Sequence, residues 1–322
     1  MKVGTVDYHT GGEPFRIVTA GVESLPGETI LEKRRWAGER LDEVRRLLVN
    51  EPRGHADMYG CFVTEPEDAG ADLGVVFFHN AGYSTACGHG TIALVTWALD
   101  EGIVKRLEPE TRVVVDVPSG RLETIARVDG GRVRSVRFRN VPAFVWGERL
   151  AAAGREVDVA FGGAFYASVE ERVAPGKLRR LIALGRELKA ALEREHEIVH
   201  PLEPELRDVY GVVFWQHEDD GPPLVQRNVT VFADGEVDRS PCGSGTSARL
   251  ALLHRAGRLG VGDELRHLSI VDTEFRARIV SETDVAGRPA VVTEVEGSAF
   301  RTGRHVFELD PEDPLGTGFL LR

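Results

Sequence analysis

Cysteine and long apolar runs are both scarce in this sequence, and each scarcity excludes a class of protein. Three cysteines among 322 residues are too few for a disulfide scaffold and odd in number, so reduced thiols and a cytoplasmic location are expected. No stretch approaches the roughly 18 consecutive apolar residues of a membrane span. The chain reaches Asp7 without an apolar run before it, which is unlike a signal peptide.

Positive charge is also in deficit. Lysine and arginine number 40 against 51 aspartates and glutamates, which gives a formal net charge of −11. Neither a nucleic-acid backbone nor an anionic membrane is therefore an expected partner. The sequence is 42% hydrophobic and 28% charged, as soluble globular proteins are, and its length suffices for two domains and a sizeable core.

Apolar periodicity predicts a mixed α/β chain without a low-complexity segment or a long linker. The predicted helix at 90–99 is apolar on nearly every face, so we expect it to be buried. The predicted helix at 28–49 carries many charges, so we expect it at the surface. Further helices are predicted at 178–197 and 246–255. Strands are predicted at 3–7, 58–63, 73–78, 113–117, 122–128, 133–138, 157–169 with an interruption at Gly162-Gly163, 209–215 and 229–232, and the remainder is strand-rich.

The most informative feature is an internal repeat of the pattern C-G-x-G-T-x-A. Its two copies lie 155 residues apart and read Cys87-Gly88-His89-Gly90-Thr91-Ile92-Ala93 and Cys242-Gly243-Ser244-Gly245-Thr246-Ser247-Ala248. Both copies lead into a predicted helix, and both reach a glycine fifteen residues after the cysteine, Gly102 and Gly257. A weaker match pairs Gly11-Gly12 with Gly162-Gly163. We therefore expect two similar α/β halves, 1–147 with Cys87 and 148–322 with Cys242, the C-terminal segment being free to pack back on the first half.

Cysteine at the start of a helix has a chemical meaning. The unpaired backbone N–H groups and partial positive charge there lower a thiol's pKa and attract a carboxylate. If the duplication places the two motifs face to face across a cleft, Cys87 and Cys242 would stand on opposite sides of a bound carbon. Moving a proton from one face of a carbon to the other needs a base on one side and an acid on the other. The pattern thus favours racemisation or epimerisation.

These motifs resemble those of the proline racemase family, which includes hydroxyproline 2-epimerases and trans-3-hydroxy-L-proline dehydratases. The matching stretches span almost the whole chain and are Asp7-Tyr8-His9-Thr10-Gly11-Gly12-Glu13-Pro14, Glu51-Pro52-Arg53-Gly54, Cys87-Gly88-His89-Gly90-Thr91 and Asp238-Arg239-Ser240-Pro241-Cys242-Gly243-Ser244-Gly245-Thr246. The resemblance implies a fold like that of diaminopimelate epimerase, with two pseudo-symmetric halves, each a curved sheet around a central helix. It also implies that no cofactor is needed.

The resemblance assigns roles to individual residues. Cys87 and Cys242 would be the two acid–base residues. Asp238 would neutralise the ring ammonium of a small cyclic amino acid, proline or a hydroxyproline. The carboxylate and ring site would be lined by Gly88, His89, Gly243 and Ser244.

Cysteine at both positions favours reversible proton transfer, and 4-hydroxyproline 2-epimerase is the favoured activity. Proline racemase and trans-3-hydroxy-L-proline dehydratase remain alternatives, because the stretches 162–167 and Tyr210-Gly211 look more like the dehydratase branch. A ligand-binding protein without catalysis is least favoured, since it would not need both cysteines. A homodimer is compatible with all of these activities.

Two other motifs compete with this interpretation and are disfavoured. Both cysteine motifs contain G-x-G-x-x-A, the dinucleotide fingerprint, but no strand is predicted immediately before either copy. The stretch from His196 to His200 fits the zinc pattern H-E-x-x-H, with both histidines on one helix face, but Pro201 follows at once, so no metal is expected. Cys61 lies in an apolar stretch and is expected in the core, while His9 is open between a structural role and a site contact.

Overall fold

The computed structural model describes residues 1–321. The strands are β1 (Lys2–Thr10), β2 (Glu13–Ala20), β3 (Tyr59–Thr64), β4 (Leu73–His79), β5 (Gly82–Tyr83), β6 (Glu110–Val117), β7 (Gly120–Asp129), β8 (Arg132–Arg139), β9 (Ala143–Ala152), β10 (Arg155–Phe161), β11 (Phe165–Glu170), β12 (Val209–Asp219), β13 (Leu224–Phe232), β14 (Glu236–Asp238), β15 (Glu264–Leu268), β16 (Glu274–Val285), β17 (Arg288–Gly297) and β18 (Ala299–Glu308). The α-helices are α1 (Ile30–Arg40), α2 (Asp42–Val49), α3 (Gly88–Asp100), α4 (Leu178–Glu195) and α5 (Gly243–Arg255).

The chain divides into two compact units. The first unit contains Met1–Val136 and the chain from Ser298 onward, and the second is the continuous segment Arg137–Gly297. The expected mixed α/β class is confirmed, because both units combine sheet and helix. No helix within the described part of the chain is long and apolar enough to cross a membrane.

The first unit builds its strands around α3. Strand β1 pairs antiparallel with both β2 and β18, β2 runs parallel to β3, and β4 runs parallel to β6. Helix α3 packs against β1, β2, β3, β7 and β18. Its residues from Gly88 to Leu99 are all buried, as expected for a helix that is apolar on every face.

The second unit repeats this plan around α5. Strand β11 runs parallel to β12, β12 pairs antiparallel with β13, and β13 runs parallel to β15. Helix α5 packs against β9, β10, β11, β16 and β17, and its residues from Gly243 to Leu253 are buried. Each unit therefore contains a central helix enclosed by strands, the arrangement that the family resemblance implies.

The predicted single helix at 28–49 is wrong. Two helices occupy this stretch, and the chain leaves the helical conformation at Leu41, with φ −113° and ψ 11°. Helix α1 starts at a capping box, in which Thr29 and Glu32 each accept a bond from the other's backbone N–H. Leu41 is buried, and Asp42 with Glu43 places negative charge in the first turn of α2, where the helix dipole favours it. A buried leucine thus serves as the corner between two short helices.

Candidate active site

The first cysteine caps the N-terminus of α3. Cys87 is extended, with φ −154°, and its Sγ accepts a hydrogen bond from the Gly90 N–H at 3.3 Å. Thr91 secures the turn, because its N–H and its hydroxyl both donate to the Cys87 carbonyl at 2.9 Å. A Cβ on Gly90 would lie 2.6 Å from the sulfur, so glycine here leaves room for the thiol.

His89 lies beside this thiol. Its ring nitrogens Nε2 and Nδ1 are 3.5 and 3.6 Å from the Cys87 Sγ. The imidazole is held edge-on by Phe15 and Tyr59, with ring centroids 5.7 and 5.0 Å away. The Thr10 hydroxyl donates to the His89 carbonyl at 2.9 Å. The buried ring is therefore positioned against the sulfur by contacts from β1, β2 and β3.

The second cysteine begins α5 in a different conformation. Cys242 has φ +60°, a left-handed conformation that costs a non-glycine residue about 1–3 kcal/mol. Its N–H donates to the Ser240 hydroxyl at 3.1 Å, and the Ser240 N–H donates to the Asp238 carboxylate at 2.8 Å. A Cβ on Gly245 would lie 2.9 Å from the Cys242 Sγ, so this glycine repeats the role of Gly90.

A pair of hydrogen-bonded hydroxyl groups reaches the Cys242 thiol through Tyr166. The Tyr166 hydroxyl is 2.7 Å from the Ser244 Oγ and 3.9 Å from the Cys242 Sγ. Tyr210 packs edge-on against Tyr166, with ring centroids 5.8 Å apart. The sequence marks Tyr166 only as part of a stretch typical of one branch of the family, because 76 residues separate it from Cys242.

The expected lowering of the thiol pKa is wrong for Cys242. Burial raises the pKa of the Cys242 thiol, and the Asp238 carboxylate raises it further. The hydroxyls of Thr230 and Tyr166 and the backbone N–H of Gly245 lower the pKa of this thiol but are outweighed. Burial also raises the pKa of the Asp238 carboxyl. The loss of hydration raises the pKa of the thiol by more than the helix N-terminus lowers it, because both groups lie in the interior.

All of the predicted site residues are buried, and they gather at two helix starts. Cys87, Gly88 and His89 lie at the start of α3. Cys242, Gly243 and Ser244 lie at the start of α5, with Asp238 at the end of β14.

The histidines of the H-E-x-x-H stretch do not share a helix face. Helix α4 ends at Glu195, and His196 is already extended, with φ −136° and ψ 133°. The His200 ring packs against Phe144 and Phe161, and its Nδ1 accepts backbone N–H bonds. Within residues 1–321, no group of three or more histidine, cysteine or acidic side chains could hold a metal ion.

Two further expectations concern single residues. Cys61 is fully buried in β3, and burial raises the pKa of its thiol well above the usual range, as expected for a core cysteine. His9 accepts a bond from the Gly12 N–H at 3.3 Å and stacks on Phe300. Its contacts therefore support the turn between β1 and β2.

Comparison with known proteins extends the resemblance to the whole chain. The family model described as proline racemase matches residues 5–320. The 3-hydroxyproline 2-epimerase of Burkholderia multivorans is 48% identical over 100% of this chain and 98% of its own. The trans-3-hydroxy-L-proline dehydratase of Azospirillum brasilense is 47% identical with the same coverage.

Solved structures give the same result. A hydroxyproline epimerase from Agrobacterium vitis, with trans-4-hydroxy-L-proline bound, superposes with a TM-score of 0.92 at 33% identity over 99% of this chain and 96% of its own. A phenazine biosynthesis protein of the PhzF family from Bacillus anthracis shares the fold alone, with a TM-score of 0.64 at 12% identity over 96% of this chain and 100% of its own. The family model, the relatives and the superposition agree over almost every residue, and the chain belongs to the proline racemase family of enzymes.

Proposed function

We propose that this protein is a cofactor-independent hydroxyproline 2-epimerase in which Cys87 and Cys242 exchange the α-proton. The single observation that carries the proposal is the recurrence of one thiol site at two helix starts, each with a glycine that makes room for the sulfur. Inversion at a carbon needs a proton acceptor and a proton donor, and the two thiols supply one of each.

The electrostatics of the second unit suggest how the roles are divided. Because burial and Asp238 raise the pKa of Cys242, this residue rests as a thiol and serves as the proton donor. A substrate ammonium beside Asp238 would neutralise the carboxylate, which would lower the pKa of Cys242 once the ligand is bound. Substrate binding would then ease release of the proton from this thiol.

The position of the substrate hydroxyl is the finer part of the proposal. The sequence favours 4-hydroxyproline, and the Agrobacterium vitis epimerase with bound trans-4-hydroxy-L-proline supports it at 33% identity. The 3-hydroxyproline 2-epimerase supports a 3-hydroxy substrate at the higher identity of 48%. We therefore propose 3-hydroxyproline as the first substrate to test, followed by 4-hydroxyproline and proline.

A specific observation favours dehydration as a second candidate. The Tyr166 hydroxyl adjoins the thiol of Cys242 and is bonded to the Ser244 hydroxyl. We propose that a hydroxyl on the ring carbon next to the α-carbon lies within reach of this pair. After a cysteine removes the α-proton, the bond between C3 and its oxygen breaks, and a proton from these hydroxyls lets the oxygen leave as water. The relatives named trans-3-hydroxy-L-proline dehydratases, at 44–47% identity, support this candidate.

The test compares three cysteine variants in heavy water. Cys87→Ser and Cys242→Ser should each abolish inversion, because a serine hydroxyl ionises far less readily than a thiol and is therefore a poor proton donor and a poor proton acceptor at neutral pH. Cys61→Ser is the matched control, since Cys61 is a buried thiol of β3 and belongs to neither helix start, and it should retain activity. NMR should show solvent deuterium at the α-position of the inverted product, and a chelator should leave the rate unchanged.

The outcomes separate the two candidates. Inversion at the wild-type rate by either helix-start variant contradicts the two-thiol mechanism. A wild-type protein that forms only a pyrroline from trans-3-hydroxy-L-proline and inverts no substrate is a dehydratase, and the epimerase proposal then fails.

A further inference from the structure

A row of polar side chains lines the inner face of β13. Gln226, Asn228 and Thr230 alternate along this strand, so they share one face, and each is fully buried. Asp238 of β14 lies opposite Thr230, and His267 of β15 lies beside Gln226. We call these five residues the polar layer, and they are unusual because buried sheet faces are normally apolar.

Helix α5 covers the polar layer. The Thr246 hydroxyl contacts the His267 Nδ1 at 2.8 Å, and the Arg249 Nε donates to the Gln226 Oε1 at 2.9 Å. The Thr230 hydroxyl lies beside the Cys242 thiol. The layer therefore follows α5 from Cys242 to Arg249, a distance of about 10 Å at 1.5 Å per residue.

Several atoms of the layer have no protein partner. They include the Gln226 Nε2, the Asn228 Oδ1 and the His267 Nε2. A buried polar atom that stays unbonded costs about 1–3 kcal/mol. Water molecules with two to four polar partners are the usual way in which proteins satisfy such atoms, and a hydrogen-bonded chain of water also conducts protons.

The far end of the layer approaches the surface. The Arg249 guanidinium stacks on the Trp215 ring at 3.5 Å from its centroid and contacts the Ser168 Oγ at 3.4 Å. Ser168 is half-buried, and Glu170 on the same strand is exposed. Water thus has only a short distance to cover between the end of the layer and the solvent.

We propose that buried water fills the polar layer and forms a proton route between Cys242 and the solvent. After Cys242 has donated its proton, its thiolate takes one from the nearest water, each water passes one proton along, and the solvent supplies the last. The thiol is thereby restored within the second unit, independently of the substrate. This inference rests on the proposed acid–base role of Cys242, but the route itself is measurable without turnover.

The experiment follows the S–H stretching band by infrared spectroscopy after transfer into heavy water. A Cys61→Ser/Cys87→Ser background leaves only the band of Cys242. Pyrrole-2-carboxylate, a flat ring carboxylate that resembles proline deprotonated at its α-carbon, is added at saturation to fill the proposed substrate site. Asn228→Leu removes one link of the route and should slow exchange by about tenfold, since a broken water bridge interrupts the chain. Thr293→Val is the matched control, because it removes a buried hydroxyl that bonds Ser247 of α5 outside the layer.

Exchange that is equally fast in the Asn228→Leu protein overturns the proposal. If that variant does not fold, a high-resolution crystal structure of the unmodified protein decides instead. Ordered waters bonded to the Asn228 Oδ1 and the His267 Nε2 support the route, and a dry layer refutes it. A failure of the epimerase proposal is seen separately, as absence of turnover in the wild-type protein.

Discussion

Cys87 and Cys242 occupy the same position in the repeat but meet different surroundings. Cys87 is extended and lies 3.5 Å from an imidazole nitrogen of His89. Cys242 has a positive φ, and the negative charge of the Asp238 carboxylate raises the pKa of its thiol. A buried carboxylate holds a neighbouring thiol in its protonated form, and at Cys87 the neighbour is an imidazole instead. The two thiols are therefore chemically unequal before any substrate binds.

At the residue scale, Tyr166→Phe should make the Cys242 thiol harder to ionise. The Tyr166 hydroxyl bonds to the sulfur and lowers the pKa of Cys242, so its removal should move that pKa upward. The rate of Cys242 alkylation, read by mass spectrometry across a pH series, should shift to higher pH, and turnover should fall while the fold persists. Tyr83→Phe is the control, because it removes a half-buried phenol that donates to the Ala37 carbonyl in the first unit. An unchanged alkylation profile for Tyr166→Phe would show that the phenol does not act on the thiol.

Local sequence rules identify the cysteines but not their chemistry. The repeated C-G-x-G-T pattern places both thiols at helix starts, and the structure has them there. The helix N-terminus alone predicts a lowered pKa, yet burial and Asp238 decide the result at Cys242. The approach of Tyr166 to the sulfur depends on the pairing of β11 with distant strands, and no pattern along the chain reveals it.

At the element scale, α3 and α5 are matched from end to end. Each contains 13 residues. Each is followed, one residue after its C-cap, by a glycine with positive φ, Gly102 at 70° and Gly257 at 66°. At the end of α5, the N–H groups of Gly257 and Arg258 bond the carbonyls of His254 and Leu253, which is the Schellman arrangement. The glycine noted in the repeat is thus a helix stop in both units.

Replacing Gly90 or Gly245 by alanine should lower the activity of the neighbouring thiol and leave helices α3 and α5 folded. In Gly90→Ala and Gly245→Ala the new Cβ would press on the neighbouring sulfur, and a displacement of about 1 Å can reduce a rate on the order of a hundredfold. Circular dichroism should remain unchanged while kcat falls. Gly176→Ala is the control, since a Cβ there meets no atom within 4 Å. Wild-type kcat in both motif variants would contradict a need for space at the sulfur.

The sequence predicts the ends of helices and strands only where glycine or proline marks a turn. Gly130 and Gly131, both with positive φ, lie between β7 and β8, in the gap between the strands predicted at 122–128 and 133–138. The corner at Leu41 has no glycine or proline, so periodicity continues through it and a single helix is predicted. The sequence pattern does not predict β9, because the exposed outer half of this strand lacks a regular alternation of apolar and polar residues.

At the scale of the whole molecule, stability should depend on pH through two opposed buried groups. Burial lowers the pKa of His267 from 6.5 to about 3, so the unfolded chain binds its proton first and stability is lost as the pH falls from 6.5 towards 3. The pKa of Asp238 is raised above 3.8, so the folded chain binds that proton first and gains stability upon acidification. The two groups offset each other on the acid side.

Replacement of Asp238 by asparagine should remove the contribution of Asp238 to the pH dependence of stability. Asp238→Asn removes a buried charge and should be more stable than the wild type at pH 7, with an advantage that shrinks as the pH approaches 4. Urea midpoints at several pH values measure the difference. Asp129→Asn, at an exposed carboxylate, should track the wild type. An advantage that stays constant with pH would show that the Asp238 pKa is not raised.

The division of the chain has a consequence for biosynthesis. The second unit is one continuous segment, but the first needs both the beginning of the chain and the stretch from Ser298 onward. Strand β1 pairs on one side with β2 and on the other with β18, which is the last strand to leave the ribosome. Before β18 is synthesised, one edge of β1 has no partner strand. An unpaired strand edge can form hydrogen bonds with other chains, which leads to aggregation. The half of the protein that is translated second therefore completes its fold first, and the nascent N-terminal half is where a chaperone would be needed most.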